Sequence, residues 1–175
     1  DGCMQEGVQS EAASLAGTQR LGNLTVIYDD NHISIEDDTN IAFNEDVLAR
    51  YESYGWHVQR VDWLKDDGSY VEDIQALDHA LNEAEKVTDR PSIIALRTII
   101  GWPTPKKQNT GGIHGSKLGD EALRGLKEAL GFDPEAMFAA DEEAVNAVRE
   151  ATAKRAREAR EQCDERFNAW REAQP

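Results

Sequence analysis

Two stretches of this chain are too apolar to leave a face in water. Leu24-Thr25-Val26-Ile27-Tyr28 is short and rich in β-branched residues, and Pro91 to Ile100 repeats the pattern at greater length. Such runs read as strands covered on both faces, the condition of a parallel sheet sandwiched by helices. The intervening segments agree. Residues 5 to 21 carry Val8, Ala12 and Leu15 at helical spacing, with Gly22 placed to cap the C-terminus. Phe43 to Tyr54 reads as a second helix, with Asn44 as cap, Phe43 stapled to Leu48 and Gly55 as the stop. His57 to Asp62 alternates as a third strand. Tyr70 to Val87 places Val71, Ile74, Leu77, Leu81 and Ala84 on one face of a helix. The order β-α-β-α-β predicts an α/β fold built on an open, mostly parallel sheet with helices on both faces.

Sheets of this kind bind ligands at the C-terminal ends of their strands. The first strand ends on Asp29-Asp30-Asn31. Asp1-Gly2 stands just before the first helix, where a preceding strand would end, and a right-handed crossover would set Asp1 beside Asn31. The Asp1 carboxylate, the Asn31 amide oxygen and a backbone carbonyl near Ile33 are hard donors of the kind magnesium takes alongside phosphate oxygens and water. Gly2 has no Cβ to obstruct a phosphate, and the helix N-terminus beside it favours an anion. Read alone, Asp29-Asp30-Asn31 is more simply a polar turn, and the slim helix is as readily a packing element as part of a site.

The words around these residues resemble a known family. Asp1-Gly2 followed some thirty residues later by Asn31 is similar to the thiamine diphosphate motif, whose first glycine would precede Asp1. Asp1-Gly2-Cys3-Met4-Gln5-Glu6-Gly7, Ser14-Leu15-Ala16-Gly17, Tyr28-Asp29-Asp30-Asn31 and Ile33-Ser34-Ile35 resemble transketolase in particular. Thr98-Ile99-Ile100-Gly101 and His114-Gly115 with Leu118-Gly119 resemble its loop whose histidine contacts cofactor and substrate, although the histidine that commonly precedes this one is missing. The resemblance implies the thiamine diphosphate-binding fold and reversible transfer of a two-carbon ketol unit between sugar phosphates. It implies thiamine diphosphate with Mg2+, or with Ca2+ or another divalent cation in its place. It assigns Asp1, Asn31 and the Ile33 carbonyl to the metal, and Gly2, Asn31, Ile100 and His114 to the cofactor. His114 would also serve substrate binding and catalysis, and Glu6 and Glu11 match acidic positions near a homodimer interface that link two active sites. The rival readings are another thiamine diphosphate enzyme (1-deoxyxylulose-5-phosphate synthase or a dehydrogenase E1 component), a natural split enzyme, and a non-catalytic α/β binding domain.

The remaining features bound the setting. The chain has 34 acidic and 19 basic Lys and Arg residues, a net charge of −15, which disfavours nucleic acid and anionic membrane as partners. Cys3 and Cys163 form no metal-ligand spacing, and a reduced cytoplasmic location is expected. His57 and His79 read as structural or surface residues, and His32 receives no role. Residues 101–119 form a Gly- and Pro-broken loop bearing Lys106 and Lys107, suited either to attracting a phosphorylated sugar or to a solvated linker. Asp120 is placed as the cap of a helix closed by Gly131. From Glu142 the chain reads as one charged helix, with Cys163 expected as a small buried hydrophobe on a narrow apolar stripe. Residues 1–140 are thus expected to be the C-terminal part of a diphosphate-binding domain, and 141–175 a helical segment leading toward a second domain. The chain opens inside a motif, so it is expected to be a piece of a longer protein and to show no ketol transfer alone.

Overall fold

The computed structural model describes residues 1–174, which fall into two compact units divided after residue 134. The first is organised on a parallel sheet of three strands: β1 (Thr25–Asp30), β4 (His57–Asp62) and β5 (Ser92–Arg97). β5 lies in the middle, paired with β1 from Thr25↔Ser92 to Asp30↔Arg97 and with β4 from His57↔Ser92 to Asp62↔Arg97. The central position explains its composition. Ile93 and Ile94 are 0 % exposed, and the alternation of a strand sends them to opposite faces. Ile93 and Ala95 join Met4, Ala13, Ala16, Tyr51 and Trp56 beneath α1 (Gly7–Thr18) and α2 (Val47–Ser53). Ile94 and Leu96 join Val61 and Ala80 beneath α3 (Ile74–Lys86). Helices therefore cover both faces, and each fully buried isoleucine contributes about 1.5–3 kcal/mol of transfer free energy.

Several local expectations need correction. The first helix buries Ala13 and Ala16, while Val8 and Leu15 are 70 % and 61 % exposed. The small residues, and not the large ones, face the sheet because α1 lies close to α2: a Cβ on Gly17 would sit 1.9 Å from the Tyr54 carbonyl oxygen. Gly22 is not the cap. Arg20 takes the left-handed turn at φ 53°, and Gly22 is required instead where the chain passes the Thr88 backbone. Asp46, not Asn44, caps α2, accepting from the Ala49 N–H at 3.0 Å. α3 starts only after Asp73, whose carboxylate accepts from the Ala76 N–H, so Val71 precedes the helix.

β1 is followed by a short antiparallel hairpin, β2 (Ile33–Ser34) and β3 (Asp37–Asp38), with Ile33 opposite Asp38. Residues 101–119 fold without strand or α-helix, apart from a single 3-10 turn at Gly111–Ile113. The peptide before Pro103 is cis. Thr104 is 1 % exposed and anchors the first part of the stretch, while residues 114–117 are exposed. α4 (Asp120–Ala129) begins from Gly119 at φ 81°, and the Asp120 side chain does not cap it. The second unit is dominated by α5 (Glu142–Ala173), capped by Asp141, with no buried residue along its length. Cys163 is exposed there, contrary to expectation, and Phe167 and Trp170 on the same stripe are exposed as well. No helix among the described residues is long and apolar enough to cross a membrane.

Candidate active site

At the C-terminal end of β1 the carboxylate of Asp1 is held by three donors. Its Oδ1 accepts from the Tyr28 hydroxyl at 2.6 Å. Its Oδ2 accepts from the backbone N–H groups of Asn31 at 3.0 Å and His32 at 2.8 Å. The strand explains the first contact: Tyr28 and Asp30 share the buried face of β1 and point toward the segment before α1. The turn explains the other two. His32 adopts φ 63°, so consecutive N–H groups converge on one point, a backbone concavity suited to an anion.

Asn31 is 7 % exposed and fixed at both ends of its amide. Its oxygen accepts from the Ile33 N–H at 2.9 Å, and its nitrogen donates to Asp29 Oδ2 at 3.4 Å. Asp29 in turn accepts from the Thr98 hydroxyl at the end of β5. Asp30 is the buried charge of the corner. It lies 3.2 Å from the Tyr28 hydroxyl, 3.1 Å from His32 Nε2 and 3.5 Å from Arg60 Nη2. Its carbonyl accepts from Arg97 Nη1 at 2.7 Å and from the Thr98 N–H at 3.2 Å. Burial, then the Asp30 carboxylate, pushes the Tyr28 hydroxyl well above the ordinary tyrosine range, so it remains a donor. Asp1, Tyr28, Asp30 and His32 border a cleft of about 340 Å³ that extends toward Phe43 and Arg60.

Asp1, Asn31 and Ile33 are thus brought into one corner. Gly2 follows directly in the 3-10 turn Gly2–Gln5, and a Cβ there would meet nothing in the chain within 4 Å. The fold itself does not need glycine at this point, so the open side is available to a ligand. Glu6 precedes the first turn of α1 without capping it, and Glu11 is exposed on the same helix. Ile100 is half-buried after β5, its carbonyl accepting from the Asn109 N–H at 3.0 Å. His114 is exposed at the end of the 3-10 turn, its N–H bonded to the Gly111 carbonyl at 3.0 Å. These four lie outside the hydrogen-bonded corner.

The loop carrying His114 is nevertheless tied to the segment after Asn31. The Gly111 N–H donates to Asp37 Oδ1 at 3.0 Å, and a Cβ on Gly111 would lie 2.9 Å from the Asp37 nitrogen. The hairpin after Asn31 is therefore the seat of the loop. Lys107 is already engaged, donating to the Leu118 carbonyl at 2.6 Å.

The chemistry of the donors bears on the metal. No group of three or more His, Cys, Asp or Glu side chains that could hold a metal occurs among the described residues. The corner instead offers the Asp1 carboxylate and the Asn31 amide oxygen, each with a lone pair unused, and backbone carbonyls. The Asp29 carboxylate is engaged by Asn31 and Thr98, and that of Asp30 by Tyr28, His32 and Arg60. That set fits a hard cation completing its shell with phosphate oxygens and water. It does not fit a zinc-type cage.

The whole length of the chain, residues 1–175, matches the family described as transketolase, thiamine diphosphate binding domain. The chain belongs to the transketolase family. The transketolase of Mycobacterium tuberculosis is 48 % identical over 175 residues, which are 100 % of this chain and 24 % of that protein. Transketolase 2 of Saccharomyces cerevisiae is 40 % identical over 171 residues, 98 % of this chain and 24 % of the relative. A crystal structure of Pichia stipitis transketolase in complex with sedoheptulose-7-phosphate superimposes with a TM-score of 0.87 at 43 % identity, covering 100 % of this chain and 25 % of that one. The chain thus spans about a quarter of the length of the transketolases it matches. Neither of the other thiamine diphosphate enzymes considered above, nor a non-catalytic binding domain, is favoured by these matches.

The residues that sequence reasoning missed are the ones that orient others. Tyr28 and Asp30 had a signal, since a spacing of two on a strand puts them on one face. Arg97 and Thr98 had none, because only the pairing of β1 with β5 brings them to Asp30 and Asp29.

Proposed function

We propose that this chain is the part of a transketolase that holds the diphosphate end of thiamine diphosphate through a divalent cation, magnesium by preference. The observation that carries the reading is the convergence on Asp1: three donors fix a carboxylate beside an immobilised amide oxygen and an open glycine. In this reading Asp1, Asn31 and the Ile33 carbonyl hold the cation, and the backbone at Gly2 contacts phosphate. Ile100 packs on the cofactor, and His114 hydrogen-bonds to substrate and to charge developing on its oxygen. Glu6 and Glu11 belong to the face that joins two copies in a homodimer. Thiamine diphosphate, when bound, supplies the carbanion chemistry, while the protein binds and orients it.

The activity assigned to the whole enzyme is transfer of a two-carbon ketol unit from a ketose phosphate to an aldose phosphate in the cytoplasm. The sugar phosphate complexes of the Pichia stipitis enzyme support that substrate class. Residues 1–140 carry the diphosphate-binding part, and 141–175 lead toward a following domain.

Asn31→Ala in the full-length enzyme tests the site. Loss of a metal ligand is expected to raise the half-saturating thiamine diphosphate concentration by about tenfold or more, at the level seen when even outer-shell support is lost. An unchanged cofactor requirement removes Asn31 from the metal.

A further inference from the structure

We infer that Arg50 is a positioning residue for the cofactor-binding end of the chain: it clamps the turn that carries Asp1 onto α2. The inference rests on the metal-binding reading of Asp1 given above. Arg50 lies far from Asp1 in sequence, on the helix whose first residues, Val47 and Leu48, border the cleft at Asp1. Its guanidinium nevertheless reaches the segment between Asp1 and α1. Nη2 donates to the Met4 carbonyl at 3.1 Å. Nη1 donates to Gln9 Oε1 at 3.1 Å and to the Ser10 hydroxyl. The Glu45 carboxylate forms an ion pair with Nε at 2.6 Å from the opposite side, without the geometry of a hydrogen bond.

Each target matters to Asp1. Met4 closes the 3-10 turn, its N–H donating to the Asp1 carbonyl at 2.9 Å. A guanidinium on the Met4 carbonyl therefore holds one end of the turn whose other end is Asp1. Gln9 and Ser10 lie in the first turn of α1, so the same side chain fixes the turn and the helix that follows it. Tyr51 reinforces the grip: it is 2 % exposed, and its hydroxyl contacts both Gln9 and the Met4 sulfur, the latter at 3.7 Å. The Asp1 carboxylate is gripped at its oxygens by Tyr28 and the Asn31–His32 turn, while its backbone is gripped through Arg50. Both grips are needed to hold an oxygen ligand at a set distance from a small cation, which demands near-ideal geometry.

The planar fork is the property in use. One nitrogen serves Met4, another serves Gln9 and Ser10, and the third faces Glu45. Lysine carries the same charge at a single point and cannot span these targets.

The test uses the full-length enzyme, stripped of cofactor. Arg50→Lys is titrated with thiamine diphosphate at saturating magnesium, with binding read by quenching of intrinsic fluorescence as well as by activity. The half-saturating concentration is expected to rise about tenfold, the low end for groups that hold a metal ligand in place. The KM for sugar phosphate and the kcat at saturating cofactor are expected to stay within about twofold, a split that general loss of folding would not produce. Asp1→Asn is run beside it. Should Asp1→Asn weaken binding while Arg50→Lys does not, the clamp is refuted and the metal reading stands. Should neither weaken it, the metal reading falls and the clamp with it. Should Arg50→Lys fail to accumulate, Glu45→Ala carries the test, with an expected rise of about threefold, the scale of a partly exposed ion pair, and no change counting against the clamp.

Discussion

Replacing Tyr28 with Phe removes one oxygen from the Asp1 corner and leaves the shape of the core unchanged. The hydroxyl has one proton and two carboxylates within reach, Asp1 at 2.6 Å and Asp30 at 3.2 Å, and the shorter contact takes it. It is the one hydrogen bond made to Oδ1, since both backbone donors serve Oδ2. A hydrogen bond to a charged group contributes about 1.5–3 kcal/mol, and water reaching the half-buried Asp1 offsets part of its loss. Two consequences then compete. The freed oxygen becomes more basic and a better ligand, but it also gains freedom to rotate away from the cation. Losses of metal affinity of about 10–100-fold for outer-shell groups indicate that orientation prevails. Tyr28→Phe in the full-length enzyme is therefore expected to raise the half-saturating magnesium concentration by about tenfold, or about 1.4 kcal/mol. The titration is performed at saturating thiamine diphosphate, with ketol transfer and cofactor binding recorded separately. An unchanged or lower magnesium requirement would refute the reasoning.

Alkaline pH should find the same hydroxyl. The folded state raises the Tyr28 pKa, so it holds this proton more tightly than the unfolded chain does. The stabilisation is complete below about pH 10 and is lost as pH climbs from there toward the raised value. Tyr28→Phe should therefore lose less thermal stability than the wild type between about pH 10 and 11, and parallel losses would count against the shift. Gly17→Ala and Gly22→Ala should destabilise by the upper end of roughly 1–3 kcal/mol in denaturant midpoint, because each Cβ meets backbone and not a side chain that could move aside. The distances are 1.9 Å to the Tyr54 oxygen and 2.0 Å to the Thr88 oxygen, and a neutral result at either would show that α1 or the chain after it yields freely.

What the sequence made legible follows a physical line. β5 was readable because burial on both faces leaves a nearly continuous apolar run, β1 because its β-branched run is short and apolar, and β4 because it alternates, the expected His57 to Asp62 being the observed strand. The buried face of α1 was misread because a close approach between helices selects alanine and glycine, which carry little hydrophobic signal. Val8 and Leu15, the larger residues, stay exposed. Caps were misplaced by one to three residues because Asn44, Asp46, Asp120 and Gly119 are all plausible ends, and only the backbone chooses among them. The apolar length of β5 matched a covered strand, but the order β1-β5-β4 had no local signal, since strand order is a tertiary property. The same holds within the corner. Asp1, Asn31 and Ile33 could be joined through topology and a family likeness, but Arg50 could not. It acts from a different helix, on one main-chain carbonyl and two polar side chains that only the tertiary fold brings within its reach.

The two-residue link between β2 and β3 has a consequence for how this region tolerates change. Ile35 and Glu36 are exposed and touch no part of the Asp1 corner, so their identities look free. Their number is not. One inserted residue would slip Ile33 from its place opposite Asp38 and turn alternate side chains to the wrong face. It would also carry Asp37 away from the Gly111 N–H, and with it the footing of the loop that bears His114. Substitutions at this link should be silent and length changes severe, a pattern opposite to that of an ordinary surface turn.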